Sequence, residues 1–102
     1  MIFPKPKRWK SKKYRDAARD QNCKLRLPGC MNNTETVVLA HRGGAGMAIK
    51  ACDHNAVDAC FHCHSILDRP DYWPWPKKEM ESRFNRGRLE TLIDRIERGI
   101  LK

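Results

Sequence analysis

Five cysteines in 102 residues constrain this chain more than any other feature. A chain so short buries only about 60 to 65% of its unfolded surface, so it needs a staple. Cys60-Phe-His-Cys63 is a C-x2-C knuckle, and Cys23 and Cys30 supply a second thiolate pair. Together the four sulfurs can enclose a tetrahedral structural Zn2+. Between Cys23 and Cys30 the chain reads Lys-Leu-Arg-Leu-Pro-Gly, wider than an ordinary knuckle, with Pro28-Gly29 signalling the tight turn that would fold it round a metal. Disulfides are the weaker reading. The cysteine number is odd, and MIFPKPKRWK at the N-terminus has no apolar run of secretory-signal length, which places the chain in the reducing cytoplasm. Cys52 is left over and reads as a small buried apolar residue.

Charge points to the partner. The formal net charge is +9, and Lys5, Lys7, Arg8, Lys10, Lys12, Lys13 and Arg15 precede the first acid of the sequence. An excess clustered in this way attracts a polyanion over long range, so the expected partner is nucleic acid: DNA, with RNA also compatible. Apolar residues at 40% and charged residues at 32% suit a globular protein. No stretch approaches the roughly 20 apolar residues of a membrane span.

Local patterns divide the chain into a basic flexible arm, residues 1–10, and a single domain, residues 11–102. Pro4 and Pro6 keep the arm out of helix. Ser11 can cap a helix running to about Asp20, and the β-branched run from Thr36 to Ala40 predicts a strand that delivers His41 at its end. The glycine-rich segment 42–54 reads as a loop, Ala56 to Ala59 as a second short strand, and Phe61 to Asp68 as a helix stopped by Pro70. Trp73 and Trp75 fall in an irregular linker, where covering the small core outweighs stacking on bases. Met80, Phe84, Leu89, Leu92, Ile93, Ile96 and Ile100 recur at helical spacing and predict an amphipathic helix over about 77–99, kinked at Gly87, packing on the rest. The fold class is therefore α+β, a small zinc-braced unit with flanking N- and C-terminal helices.

His64 and Asp68, four apart on the predicted helix, project from one face and can share a cation. Asn55 lies nine residues before His64, and His41 another fourteen before that. The order His, Asn, His on strand, strand and helix, with Asn55-x4-Cys60-x2-Cys63-His64-x3-Asp68, resembles the HNH endonucleases. That resemblance implies a ββα-metal (His-Me finger) core over about residues 36–69. Within it His41 is the general base that activates water, Asn55 orients it, and His64 begins the metal-binding helix. Ala40 departs from the pattern, because that position ordinarily carries a metal ligand. His54, Asp53 or His41 itself, or waters and substrate phosphate, would then complete the shell of a catalytic divalent cation, with Mg2+, Mn2+, Ni2+ and Zn2+ all admissible.

A closer resemblance covers most of the chain beyond the arm. Ala17-Ala18-Arg19, Cys23, Leu27-Pro28-Gly29, Glu35-Thr36, Val38-Leu39-Ala40-His41 and Cys60-x2-Cys63-His64 are similar to the small prophage-encoded nucleases of the YbcO-like family. It implies a DNA endonuclease acting in the cytoplasm of a host bacterial cell. The competing reading is a non-catalytic zinc module that binds nucleic acid. Arg42, beside the base, is placed either on substrate phosphate or in a solvated loop. His62 either points outward or supplements zinc binding.

Overall fold

The computed structural model describes residues 10–41 and 53–100. Lys5, Lys7, Arg8 and Arg42, Cys52, and most of the expected loop lie outside the described residues. The elements run α1 (Lys12–Asp16), a 3-10 turn (Thr34–Thr36), β1 (Val38–His41), a second 3-10 turn (Asp53–Asn55), β2 (Ala56–Ala59), α2 (Phe61–Leu67), a third 3-10 turn (Pro70–Tyr72) and α3 (Lys77–Glu97). Among the described residues no helix is long and apolar enough to cross a membrane.

Ser11 caps α1 as its sequence predicts, its Oγ accepting the Tyr14 N–H at 3.1 Å. The helix ends at Asp16 rather than Asp20. Residues 17–20 tighten into turns, and Asp20 takes φ 61°, a left-handed conformation no helix continues through. Thr36 likewise belongs to a turn and not to the first strand: its hydroxyl donates to Asn33 O at 2.9 Å and accepts the Phe61 N–H at 3.0 Å. These side-chain bonds compete with a strand ladder.

β1 and β2 form a two-stranded antiparallel sheet, in which Val38 faces Ala59 and His41 faces Ala56. Every residue of β2 is buried, because α3 packs across it. α3 is a single unbroken helix, and Gly87 marks a close approach instead of a kink. A Cβ there would stand 2.6 Å from Val57 Cγ2 and 2.9 Å from the Lys24 carbonyl oxygen.

The face that α3 buries is not the apolar stripe of its sequence. Met80, Phe84, Gly87, Thr91 and Arg95 point inward, while Leu89, Ile93 and Ile96 are exposed. Asp58 on β2 accounts for the difference. Its carboxylate receives Arg95 at both oxygens (2.5 and 2.8 Å) and Lys24 Nζ at 2.8 Å, and its backbone N–H donates to Thr91 Oγ1 at 3.1 Å. Arg95 also donates to Tyr14 O and lies over the Tyr14 ring, with its guanidinium carbon 5.2 Å from the centroid. A buried charge is tolerated only when paired and hydrogen-bonded, and the inward polar residues of α3 meet that condition. Trp73 and Trp75 pack against the core; the Trp73 indole donates to Leu67 O at 3.2 Å, and Arg83 lies over Trp75.

Candidate metal and catalytic site

Two loops bring the cysteines together. Cys23 follows the turn after α1, Cys30 follows Pro28-Gly29, and Cys60 and Cys63 flank the start of α2. The four Sγ atoms all lie within 4.8 Å of one another. Among the described residues this is the one group of three or more such side chains close enough to hold a metal ion. A zinc–sulfur bond of about 2.3 Å gives a regular tetrahedron an edge of about 3.8 Å. Cys30 and Cys60 stand 3.7 Å apart, so the donor set suits a metal such as zinc.

The wide Cys23–Cys30 spacing is explained by backbone conformation. Arg26 (φ 47°), Gly29 (φ 85°) and Asn32 (φ 49°) turn the chain through the left-handed region. In that path Leu27 N–H donates to Cys63 Sγ at 3.3 Å and Asn32 N–H to Cys30 Sγ at 3.4 Å. Asn32 Oδ1 closes the loop by accepting from Cys23 N–H at 2.7 Å. Hydrogen bonding from Cys63 lowers the Cys23 thiol to about 4, while the same contact and burial push Cys63 well up; burial also raises Cys30. Negative charge on sulfurs this close is mutually repulsive, and a cation between them would relieve it. His62 takes no part in the sulfur group. Its Nε2 meets Pro28 O at 2.9 Å, and its ring covers Gly29, so it clamps one knuckle to the other.

His41 closes β1. Strand alternation turns its neighbour Ala40 into the core, 1% exposed, and leaves the imidazole about one third exposed. Its Nε2 lies 2.8 Å from Asp53 Oδ1. Asp53 is buried; its other oxygen accepts the Ser11 N–H at 2.6 Å, and Arg15 Nε stands 3.9 Å away. Asn55 ends the second 3-10 turn, immediately before Ala56, the cross-strand partner of His41. His64 Nε2 on α2 and Oδ2 of Asp68, the residue that caps the C-terminal end of that helix, are 3.3 Å apart and face solvent. His54 packs edge-on to Tyr14, with centroids 5.9 Å apart. Burial lowers its pKa, Arg88 adds to that and Asp53 opposes it.

Of the basic residues, Lys10 and Lys13 are exposed, Lys12 pairs with Asp16 at 2.8 Å, and Arg15 leans toward Asp53. Asp53 is the residue whose contact with His41 sequence reasoning missed. Its signal was an acid closing the loop that follows the histidine, two positions before Asn55, but a loop acid is ordinarily solvated.

The fold and site define a compact α+β cysteine-cluster protein with a His–Asp pair at the end of its hairpin. The chain belongs to the family described as "Putative nuclease YbcO", which matches residues 12–98. It is 35% identical over 92 residues to "Putative nuclease YbcO" of Escherichia coli strain K12, covering 86% of this chain and 95% of that relative. The corresponding protein of Enterobacteria phage 82 matches with the same identity and coverage. Among solved structures, one described as "Structure of a putative bacteriophage protein from Escherichia coli str. K-12 substr. MG1655" superposes with a TM-score of 0.69. It is 32% identical, covering 85% of this chain and all of that one.

Proposed function

We propose that this protein is an HNH-type endonuclease that hydrolyses phosphodiester bonds of DNA with the help of one divalent cation. The observation that carries the reading is the arrangement of the hairpin and helix: His41 ends β1, Asn55 adjoins its cross-strand partner, and β2 leads through Cys60 into the helix bearing His64 and Asp68. The names of the relatives support nuclease activity in general.

In this reading His41 takes a proton from the attacking water, the role of general base that an imidazole nitrogen with a free lone pair can fill. Asn55 would hold the His41 region through its amide, which can donate or accept a hydrogen bond without carrying charge. His64 and Asp68 would hold the cation, which would polarise the scissile phosphate and neutralise the leaving oxygen. Two donors suffice for a hard cation that keeps waters and substrate oxygens as its remaining ligands. The four cysteines would hold a separate structural Zn2+ that fixes the start of α2. Lys10, Lys12, Lys13 and Arg15, continuing the basic arm with Lys5, Lys7 and Arg8, would follow the phosphate backbone, as would Arg42.

Plasmid nicking in EDTA, Mg2+, Mn2+, Ni2+ and Zn2+, with His41→Ala alongside, tests the proposal. Metal-dependent nicking by the wild type and its loss by about 10² to 10⁴-fold in the variant are expected. Equal nicking by the two proteins would remove His41 from its role. A second reading, a zinc module that binds nucleic acid without cutting it, draws on Ala40, which is buried where a ligand would be needed. DNA affinity retained with no metal-dependent cleavage would favour that reading.

A further inference from the structure

Asp53 is a carboxylate at 1% exposure, yet it belongs neither to the sulfur cluster nor to the Asp58–Arg95 network. Such a group is stable only with its lone pairs occupied. Here each oxygen has its own donor: Oδ2 takes the Ser11 N–H at 2.6 Å, and Oδ1 meets His41 Nε2 at 2.8 Å. An ionised carboxylate can only accept, so the Asp53 contact requires the proton of a neutral His41 to reside on Nε2. The lone pair is then on Nδ1.

We infer that Asp53 is the positioning residue for His41, holding the ring in its Nε2–H form so that Nδ1 is the basic nitrogen, and fastening it through Ser11 to the root of the basic arm. The inference rests on the reading of His41 as general base. During the reaction an O–H bond of water breaks and an Nδ1–H bond forms. The hydroxide oxygen bonds to phosphorus as the bond to the leaving oxygen breaks, the leaving oxygen takes a proton from solvent water, and the imidazolium later releases its own proton to solvent. Asp53 keeps its role as acceptor throughout and pairs with the transient imidazolium, as an oriented acid does behind other catalytic histidines. Arg15, 3.9 Å away on α1, balances the buried charge without taking the oxygen that faces His41.

Asp53→Asn preserves volume but offers one acceptor oxygen to two donors, so an amide NH2 must oppose either Ser11 N–H or His41 Nε2–H. The test is the 15N spectrum of the histidine ring nitrogens in metal-loaded full-length protein, together with plasmid-cleavage kinetics. The wild type is expected to show His41 protonated on Nε2 when neutral. Folded Asp53→Asn should shift toward the other tautomer and lose about 10- to 100-fold in kcat with KM little changed, and Asp53→Glu should recover part of the loss. Combined with His41→Ala, Asp53→Asn should add no further loss. A purely structural role would lower activity in that background too and leave the tautomer alone. Wild-type His41 protonated on Nδ1, or a folded Asp53→Asn with unchanged tautomer and kcat, would overturn the inference. If Asp53→Asn does not fold, the wild-type spectrum and Asp53→Glu decide. Should the wild type fail to cleave DNA, the nuclease reading falls, while the ring spectra still test what Asp53 does to His41.

Discussion

Replacing Arg95 by Met tests whether α3 is held to β2 by charge rather than by its apolar stripe. Met keeps part of the buried stem but removes both hydrogen bonds to Asp58 (2.5 and 2.8 Å), the bond to Tyr14 O and the contact with the Tyr14 ring. Breaking one side of a buried ion pair costs about 3 to 5 kcal/mol, chiefly because the remaining charge loses its partner. Lys24 Nζ still stands 2.8 Å from Asp58 Oδ2, which puts the cost at the lower end, about 3 kcal/mol. Against a total stability of roughly 5 to 15 kcal/mol the protein stays folded at 25 °C, with Tm lowered by roughly 12 to 24 °C. Circular dichroism melts of metal-loaded protein measure the shift. A cycle with Asp58→Leu should then give a double variant more stable than the two single losses add up to, by about 1 kcal/mol or more. A melt within about 4 °C of wild type, or an additive cycle, would refute the argument. The consequence reaches the site, because β2 carries Asn55 at one end and Cys60 at the other.

Three further outcomes follow from particular contacts. Stripping metal with a strong chelator should unfold the chain, since a structural zinc contributes about 10 to 16 kcal/mol in small zinc domains, comparable with the whole stability. Loss of far-ultraviolet dichroism should track loss of one bound metal per chain, and an unchanged melt would argue against a metal brace at Cys23, Cys30, Cys60 and Cys63. Gly87→Ala should destabilise despite a helix-propensity gain of about 1 kcal/mol, because the new methyl meets the Lys24 carbonyl oxygen at 2.9 Å and Val57 Cγ2 at 2.6 Å. A urea midpoint above that of the wild type would mean that the backbone gives way more easily than this packing implies. His54, whose folded pKa is lowered by burial and Arg88 against the pull of Asp53, makes a contribution that is whole above its unfolded value near 6.5 and is lost as pH falls through the folded one. Stability should therefore decline on acidification from pH 7 to 5, and His54→Phe should flatten that slope; an identical slope in the variant would assign it elsewhere.

Local chemistry alone was enough to read much of the scaffold. α2 from Phe61 with its stop before Pro70 and α3 from Lys77 follow from short-range propensity, β2 at Ala56–Ala59 from its position between the loop and the knuckle, and Cys60-x2-Cys63 supplies a thiolate pair at metal-ligand spacing. The order His41, Asn55, His64 is likewise visible in the chain. Partnerships over long separations were not visible. A helical wheel cannot tell that Arg95 faces inward and Ile93 outward, because Asp58, 37 residues earlier, decides it. Gly87 reads as a kink until α3 lies against Val57 and the Lys24 carbonyl. The sequence by itself determined which side chains were at hand: four sulfurs to share a cation, a histidine at a strand end, and an excess of positive charge. Tertiary structure decided which of them meet. It turned the wide Cys23–Cys30 loop through left-handed backbone at Arg26 and Gly29 and tied it off with Asn32, and it buried Asp53 against Ser11 and His41, where a desolvated carboxylate must take both donors it is offered.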